Sequence, residues 1–166
     1  MARGAITGAA LLVLAGCAGG EQALWRNESS KPTVDVAPTQ TLDVPVDTAR
    51  QQAAAWLTAR GFAVREAPGG LRAERATSAD PAWSICPNPR VSSYDDDSNQ
   101  SRPAVLTARQ ATVTVDLTSA GEGSRAAVSV DDSAVMLNTF KSTTFDVACR
   151  STGFLERDLF AAMRAG

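Results

Sequence analysis

Between residues 111 and 130, apolar and polar side chains alternate on both sides of one short turn. Ala111, Val113, Val115 and Leu117 are separated by Thr112, Thr114 and Asp116. Ala126, Val128 and Val130 return in the same period after Ala120-Gly121-Glu122-Gly123. Period two sends successive side chains to opposite faces, so the stretch predicts an antiparallel hairpin with one buried and one wetted face. A half-wet sheet needs a single covering layer. The chain is thereby restricted to folds in which something amphipathic lies across one face.

Two segments suit that role. Ala49, Ala53, Trp56 and Leu57 fall at i, i+4, i+7 and i+8, one face of a helix predicted over Thr48–Arg60 with Asp47 as N-cap. Gly61 follows as a left-handed C-cap, with Phe62 folding back on Leu57 as in a Schellman motif. A second helix is predicted over Gly153–Arg164, with Leu155, Leu159 and Met163 on one stripe and Phe160 beside it. Glu156 and Arg164 agree with its macrodipole, and Ser151 or Thr152 can cap it.

Shorter strands complete the list. Thr41–Val46 alternates but is weakened by Pro45. Phe62–Arg65 and Leu71–Glu74 flank the turn Pro68-Gly69-Gly70. Trp83 and Ile85 alternate into a strand ending at Cys86-Pro87, and Asn88–Pro103 is polar and reads as a loop. Val135–Phe140 and Phe145–Cys149 read as shorter, irregular extended pieces. The order β-α-β-β-β-β-β-α predicts an α+β two-layer sandwich: an antiparallel sheet of about five to six strands with two helices on one face.

Composition narrows the function classes. The formal charge is −2, Lys and Arg are scattered, and aromatic residues make up 5%, which leaves nucleic-acid binding without support. The chain contains no histidine. That excludes Ser-His-Asp and Cys-His arrangements and H-E-x-x-H zinc sites. No cofactor is implied.

The N-terminus reads as an address. Arg3 supplies a positive n-region, and Ala5–Leu14 an apolar run of roughly ten residues, too short to span a bilayer. Leu14-Ala15-Gly16-Cys17 resembles the lipobox of bacterial lipoproteins. The resemblance implies a signal peptide over 1–16, and a Cys17 thiol that takes diacylglycerol and becomes the first mature residue; acylation with palmitate is part of that expectation. Ala18, where an Asp would resemble an inner-membrane retention signal, implies an outer-membrane location facing the periplasm in a Gram-negative cell. Residues 17–39 read as a lipid-anchored flexible tether with Trp25 as its one aromatic, and 40–166 as the domain. The ending Cys149–Glu156 and the order of strand, Ala-rich helix and hairpin look similar to small proteobacterial envelope lipoproteins, some with domains like those of an outer-membrane assembly-machine lipoprotein. That likeness implies a fold and no catalytic residue.

Cys86 and Cys149 remain once Cys17 is assigned to lipid. In an oxidising compartment they would pair, closing a loop of about 63 residues worth roughly 4 kcal/mol. The rivals are two buried free thiols or a metal site lacking further ligands.

Other candidates are incomplete. Asp95, Asp97 and Asn99 stand at the first, third and fifth places of a calcium-loop pattern, but Gln100 and Leu106 occupy the positions that need Gly and Glu. A solvated acidic loop is the plainer reading. Lys141-Ser142 lacks a surrounding dyad motif, and Gly121-Glu122-Gly123 lacks the Lys and following helix of a phosphate loop. Asp131-Asp132 point to opposite faces if extended, and otherwise read as a polar turn.

These readings favour a non-catalytic envelope lipoprotein, a protein-interaction or assembly-support module with a membrane contact through lipid and an envelope protein as partner. The alternative is a small-molecule or lipid-binding periplasmic domain, with Phe140, Phe145, Phe154 and Phe160 either lining a gap or filling the core. An enzyme ranks last.

Overall fold

A computed structural model describes residues 31–77, 82–93 and 100–165. The chain runs β1 (Thr39–Leu42), α1 (Val46–Ala59), β2 (Ala63–Ala67), β3 (Gly70–Thr77), β4 (Ser84–Ile85), β5 (Arg90–Ser92), β6 (Ser101–Pro103), β7 (Val105–Ala120), β8 (Gly123–Asn138), β9 (Thr143–Ser151) and α2 (Phe154–Arg164). Seven strands form one antiparallel sheet in the order β2-β3-β7-β8-β9-β4, with β1 joined to β8; β5 and β6 pair separately. The predicted two-layer α+β sandwich is the observed fold, with β9 bringing the sheet to seven strands.

The hairpin foreseen at 111–130 is its spine, and it is longer than predicted. β7 and β8 are 16 residues each and are joined by a two-residue turn in which Gly121 has φ 65. A register shift between Leu106 and Ala108 carries the pairing past the bulge. β8 shares its other edge: residues 124–127 pair with β1 and residues 132–138 with β9.

Both helices lie on one face. Ala49, Ala53 and Leu57 of α1 and Leu155, Leu159, Phe160 and Met163 of α2 join one cluster with Leu71, Ala73, Val113, Val115, Leu117, Ala126 and Val128 of the sheet. The sheet residues are those of a single face, so the alternation did select the buried side. Thr112, Thr114, Asp116 and Ser129 occupy the opposite face.

Helix α1 closes as predicted. Phe62 N–H donates to Leu57 O at 3.1 Å and Gly61 N–H to Thr58 O at 2.9 Å, the paired bonds of a Schellman motif, with Gly61 at φ 78. Its start differs. α1 begins at Val46 with Pro45 in the cap position, so Asp47 is a first-turn residue 3.5 Å from Arg50 and not the cap. Proline there needs no N–H donor and presets φ, which moves the boundary forward. β1 stops at Leu42, short of the expected Val46, because its partner runs out: Leu42 opposes Ser124, one residue from the start of β8 at Gly123.

Three further expectations are corrected. The loop foreseen over Asn88–Pro103 contains the β5–β6 ribbon, with Val91 opposite Arg102. The irregular pieces at 135–140 and 145–149 are the end of β8 and a regular β9. Neither Ser151 nor Thr152 caps α2: Gly153 holds that position at φ 82, and the Ser151 hydroxyl accepts from Gly153 N–H at 3.0 Å and donates to Glu156 at 2.8 Å.

Residues 31–38, assigned to the tether on composition, lie along the domain. Val34 N–H donates to Thr152 O at 2.7 Å, Val128 N–H donates to Pro38 O at 2.9 Å, and Val36 packs against the core. Gly153 has no Cβ, and one added there would strike Val34 O.

Candidate functional site

The inner face of the sheet carries two apolar clusters with a polar seam between them. The first is the helix-covered core. The second gathers Cys86, Val91, Ala104, Ala134 and Met136, with Leu106, Phe140, Phe145, Val147 and Cys149 packed around it. The seam follows from register. Arg75 opposes Ala111, Ala111 opposes Asp132 and Asp132 opposes Cys149, while in the next inward row Thr77 opposes Arg109 and Arg109 opposes Ala134. Arg109 and Asp132 are therefore inward-facing diagonal neighbours, a spacing long side chains can bridge.

They do bridge it. One Arg109 guanidinium nitrogen lies 3.3 Å from Asp132 Oδ2 and also donates to Ser84 Oγ. Both charged side chains are 1% exposed. A buried pair offsets two desolvation costs with one strong attraction, and removing either partner takes that attraction away. Asp132 Oδ1 is buried without a hydrogen-bond partner among the described residues. At this burial neither group is open to a substrate from solution; what the pair does is tie β7, β8 and β4 together.

Trp83–Cys86 crosses above the seam. Trp83 O accepts Thr152 N–H at 2.8 Å, the Thr152 hydroxyl donates to Ala82 O at 3.1 Å, and Lys31 Nζ donates to Ser84 O at 3.0 Å. Cys86 and Cys149 are joined by a disulfide with their Cα atoms 4.2 Å apart. The β4–β9 register explains the pairing: Ile85 opposes Arg150, which brings residue 86 against residue 149. At the other end of the segment the Phe62 and Trp83 rings lie 5.9 Å apart, tilted by 44°. The Arg75 guanidinium sits 5.1 Å from the Trp83 ring and 5.9 Å from Phe62, and Arg60 stands 3.5 Å over Trp56. Two guanidinium groups and three rings thus cluster around the C-terminal end of α1.

Of the residues singled out from sequence, Cys86 and Cys149 are brought together. Cys17, Trp25 and the acidic group Asp95, Asp97 and Asn99 lie outside the described residues. Among the described residues no group of three His, Cys, Asp or Glu side chains is placed to hold a metal ion, and no helix is long and apolar enough to cross a membrane. Asp131 and Asp132 do face opposite sides, but in mid-strand and not in a turn. Lys141 and Ser142 stand exposed in the β8–β9 turn, where Asn138 Oδ1 accepts from the Phe140 and Lys141 N–H groups. The four phenylalanines are divided: Phe160 fills the helix core, Phe140 and Phe145 flank the second cluster, and Phe154 is half-buried under Arg157.

Sequence reasoning missed Arg109 and its partner Ser84. A signal existed. Continuing the period-two pattern backward from Ala111 and forward from Val130 turns Arg109 and Asp132 inward, and the two-residue turn makes them diagonal neighbours. Comparison of the chain with protein-family models, curated proteins and solved structures finds no match.

Proposed function

We propose that this chain is a bacterial lipoprotein, anchored through lipid on Cys17, whose α+β domain is a non-catalytic protein-interaction or support module of the cell envelope. The observation that carries the reading is Leu14-Ala15-Gly16-Cys17 directly behind the short apolar run Ala5–Leu14. A small residue at Gly16 leaves the bond accessible to a peptidase, and the Cys17 thiol is the nucleophile that takes the lipid. Stable anchoring needs two chains or one chain and a second signal, and diacylglycerol supplies two. The joined Cys86 and Cys149 support the same reading, because disulfides persist in exported proteins. Ala18 supports the outer membrane, facing the periplasm.

Metabolic labelling with a radioactive fatty acid tests the anchor. The parent chain is expected to take up label and to be shortened to begin at Cys17. Cys17→Ser should abolish both. Equal labelling of parent and mutant would overturn the reading.

A further inference from the structure

We infer that Arg60, Trp56, Arg75 and Trp83, grouped around the buried Phe62, form a membrane-docking surface that seats the domain on anionic phospholipid headgroups. This rests on the lipid-anchor reading. The first support is position. Lys31 Nζ is bonded to Ser84 O, so the chain leading back toward Cys17 meets the domain within one side-chain length of Trp83. Residues 18–30 join Lys31 to the lipidated cysteine. A chain of that length spans at most about 48 Å. A domain of this size is about 35 Å across. Lys31 and the surface beside it therefore lie within that chain's span of the lipidated cysteine, which puts this end of the domain in reach of the headgroups.

Chemistry is the second support. Arg60 is exposed and Arg75, Trp56 and Trp83 are half-buried. Trp56 gives the patch an amphipathic ring of the kind that settles at headgroup depth, Trp83 adds apolar ring surface while its Nε1 is buried, and guanidinium groups attract anionic lipid. The ion pairs of this region lie elsewhere: Glu74 is taken by Arg65 and Arg72, and Glu66 by Arg50. Each arginine near an anionic surface favours contact about fivefold, and the anchor raises the local lipid concentration so that this modest gain is realised.

The test uses the full lipidated protein in vesicles, with Trp25→Phe so that Trp56 and Trp83 alone fluoresce. Spin-labelled lipid should quench these tryptophans in phosphatidylglycerol-containing vesicles and much less in pure phosphatidylcholine, with the difference lost at 1 M salt, where the screening length falls to about 3 Å. Arg60→Gln should weaken the docking equilibrium about fivefold. Arg125→Gln, on the exposed opposite face, should leave it unchanged. Quenching that ignores lipid charge, or that is unmoved by Arg60→Gln, overturns the docking surface and leaves an acidic protein as the occupant to test. Loss of the anchor reading is separately visible as failure of fatty-acid labelling at Cys17.

Discussion

The two halves of the β7–β8 hairpin bury one continuous face by different means. Near the Gly121 turn the inner face meets α1 and α2, and Leu57, Leu159, Phe160 and Met163 are all at most 1% exposed. Past Arg109 and Asp132 the cover is a thin irregular segment bearing β4, β5 and β6, held by one disulfide. Helices cover a sheet with side chains supplied every turn, and their hydrogen bonds are internal. A short extended segment buries few side chains per residue and needs other fastening. The covalent link and the buried ion pair stand at the place where the apolar cover thins. Cross-links and polar ties are thus most informative where packing area runs out.

The largest way to break the comparison is at the boundary. Asp132→Ala removes the carboxylate 3.3 Å from the buried Arg109 guanidinium and should cost about 3–5 kcal/mol in denaturant unfolding. The double variant Arg109→Met with Asp132→Leu should recover most of that loss. If the double variant is as unstable as the single one, the ion pair supplies stability that apolar replacement cannot.

Removing the disulfide sharpens the contrast between halves. Cys86→Ala with Cys149→Ala should lower stability by roughly 2–5 kcal/mol. Hydrogen exchange should accelerate in residues 84–92 and 101–104 well before it does in α1 and α2. Uniform acceleration over both halves would show that the two clusters open as one unit.

The smallest effect belongs to the wetted face, where the same ion chemistry is solvated. Arg65 lies 2.6 Å and Arg72 3.1 Å from Glu74, with the two arginine side chains 62% and 54% exposed. Glu74→Gln should change stability by about 0–1 kcal/mol, and less in high salt. A loss comparable to that of Asp132→Ala would mean that burial is not what separates the two pairs.

What could be read from the chain beforehand follows the same division. Val113, Val115, Leu117, Ala126 and Val128 alternate because helices cover them, and the pattern is visible without coordinates. Leu57, Gly61 and Phe62 announce a helix end through strictly local bonds. In the second half the local signal fails. Arg109 and Asp132 are polar, so the apolar alternation breaks off beside them, although both strands continue. The β5–β6 ribbon was invisible because Arg90–Ser92 and Ser101–Pro103 carry one inward apolar side chain between them, Val91. The disulfide was legible only through an argument about compartment; the register that brings Cys86 to Cys149 depends on β4 finding β9 across the chain. The cationic aromatic cluster was not legible at all, since its residues come from three separate segments: Trp56 and Phe62 from α1 and its closing turn, Arg75 from β3, and Trp83 from the residues before β4.

The divided edge of β8 has a consequence for how the domain assembles. Thr39 of β1 opposes Ala127, while Thr143 of β9 opposes Asn138, so the strand nearest the start of the domain and the strand nearest its end are laid against one neighbour. The β7–β8 hairpin closes through a two-residue turn and is the local, fast event; β1 must wait until most of the chain has been synthesised before its partner exists. The beginning of the domain is thus among the last parts to find its place. The hydrogen bonds of Val34 to Thr152, at the junction of β9 and α2, and of Pro38 to Val128 of β8 likewise need partners that come late in the chain.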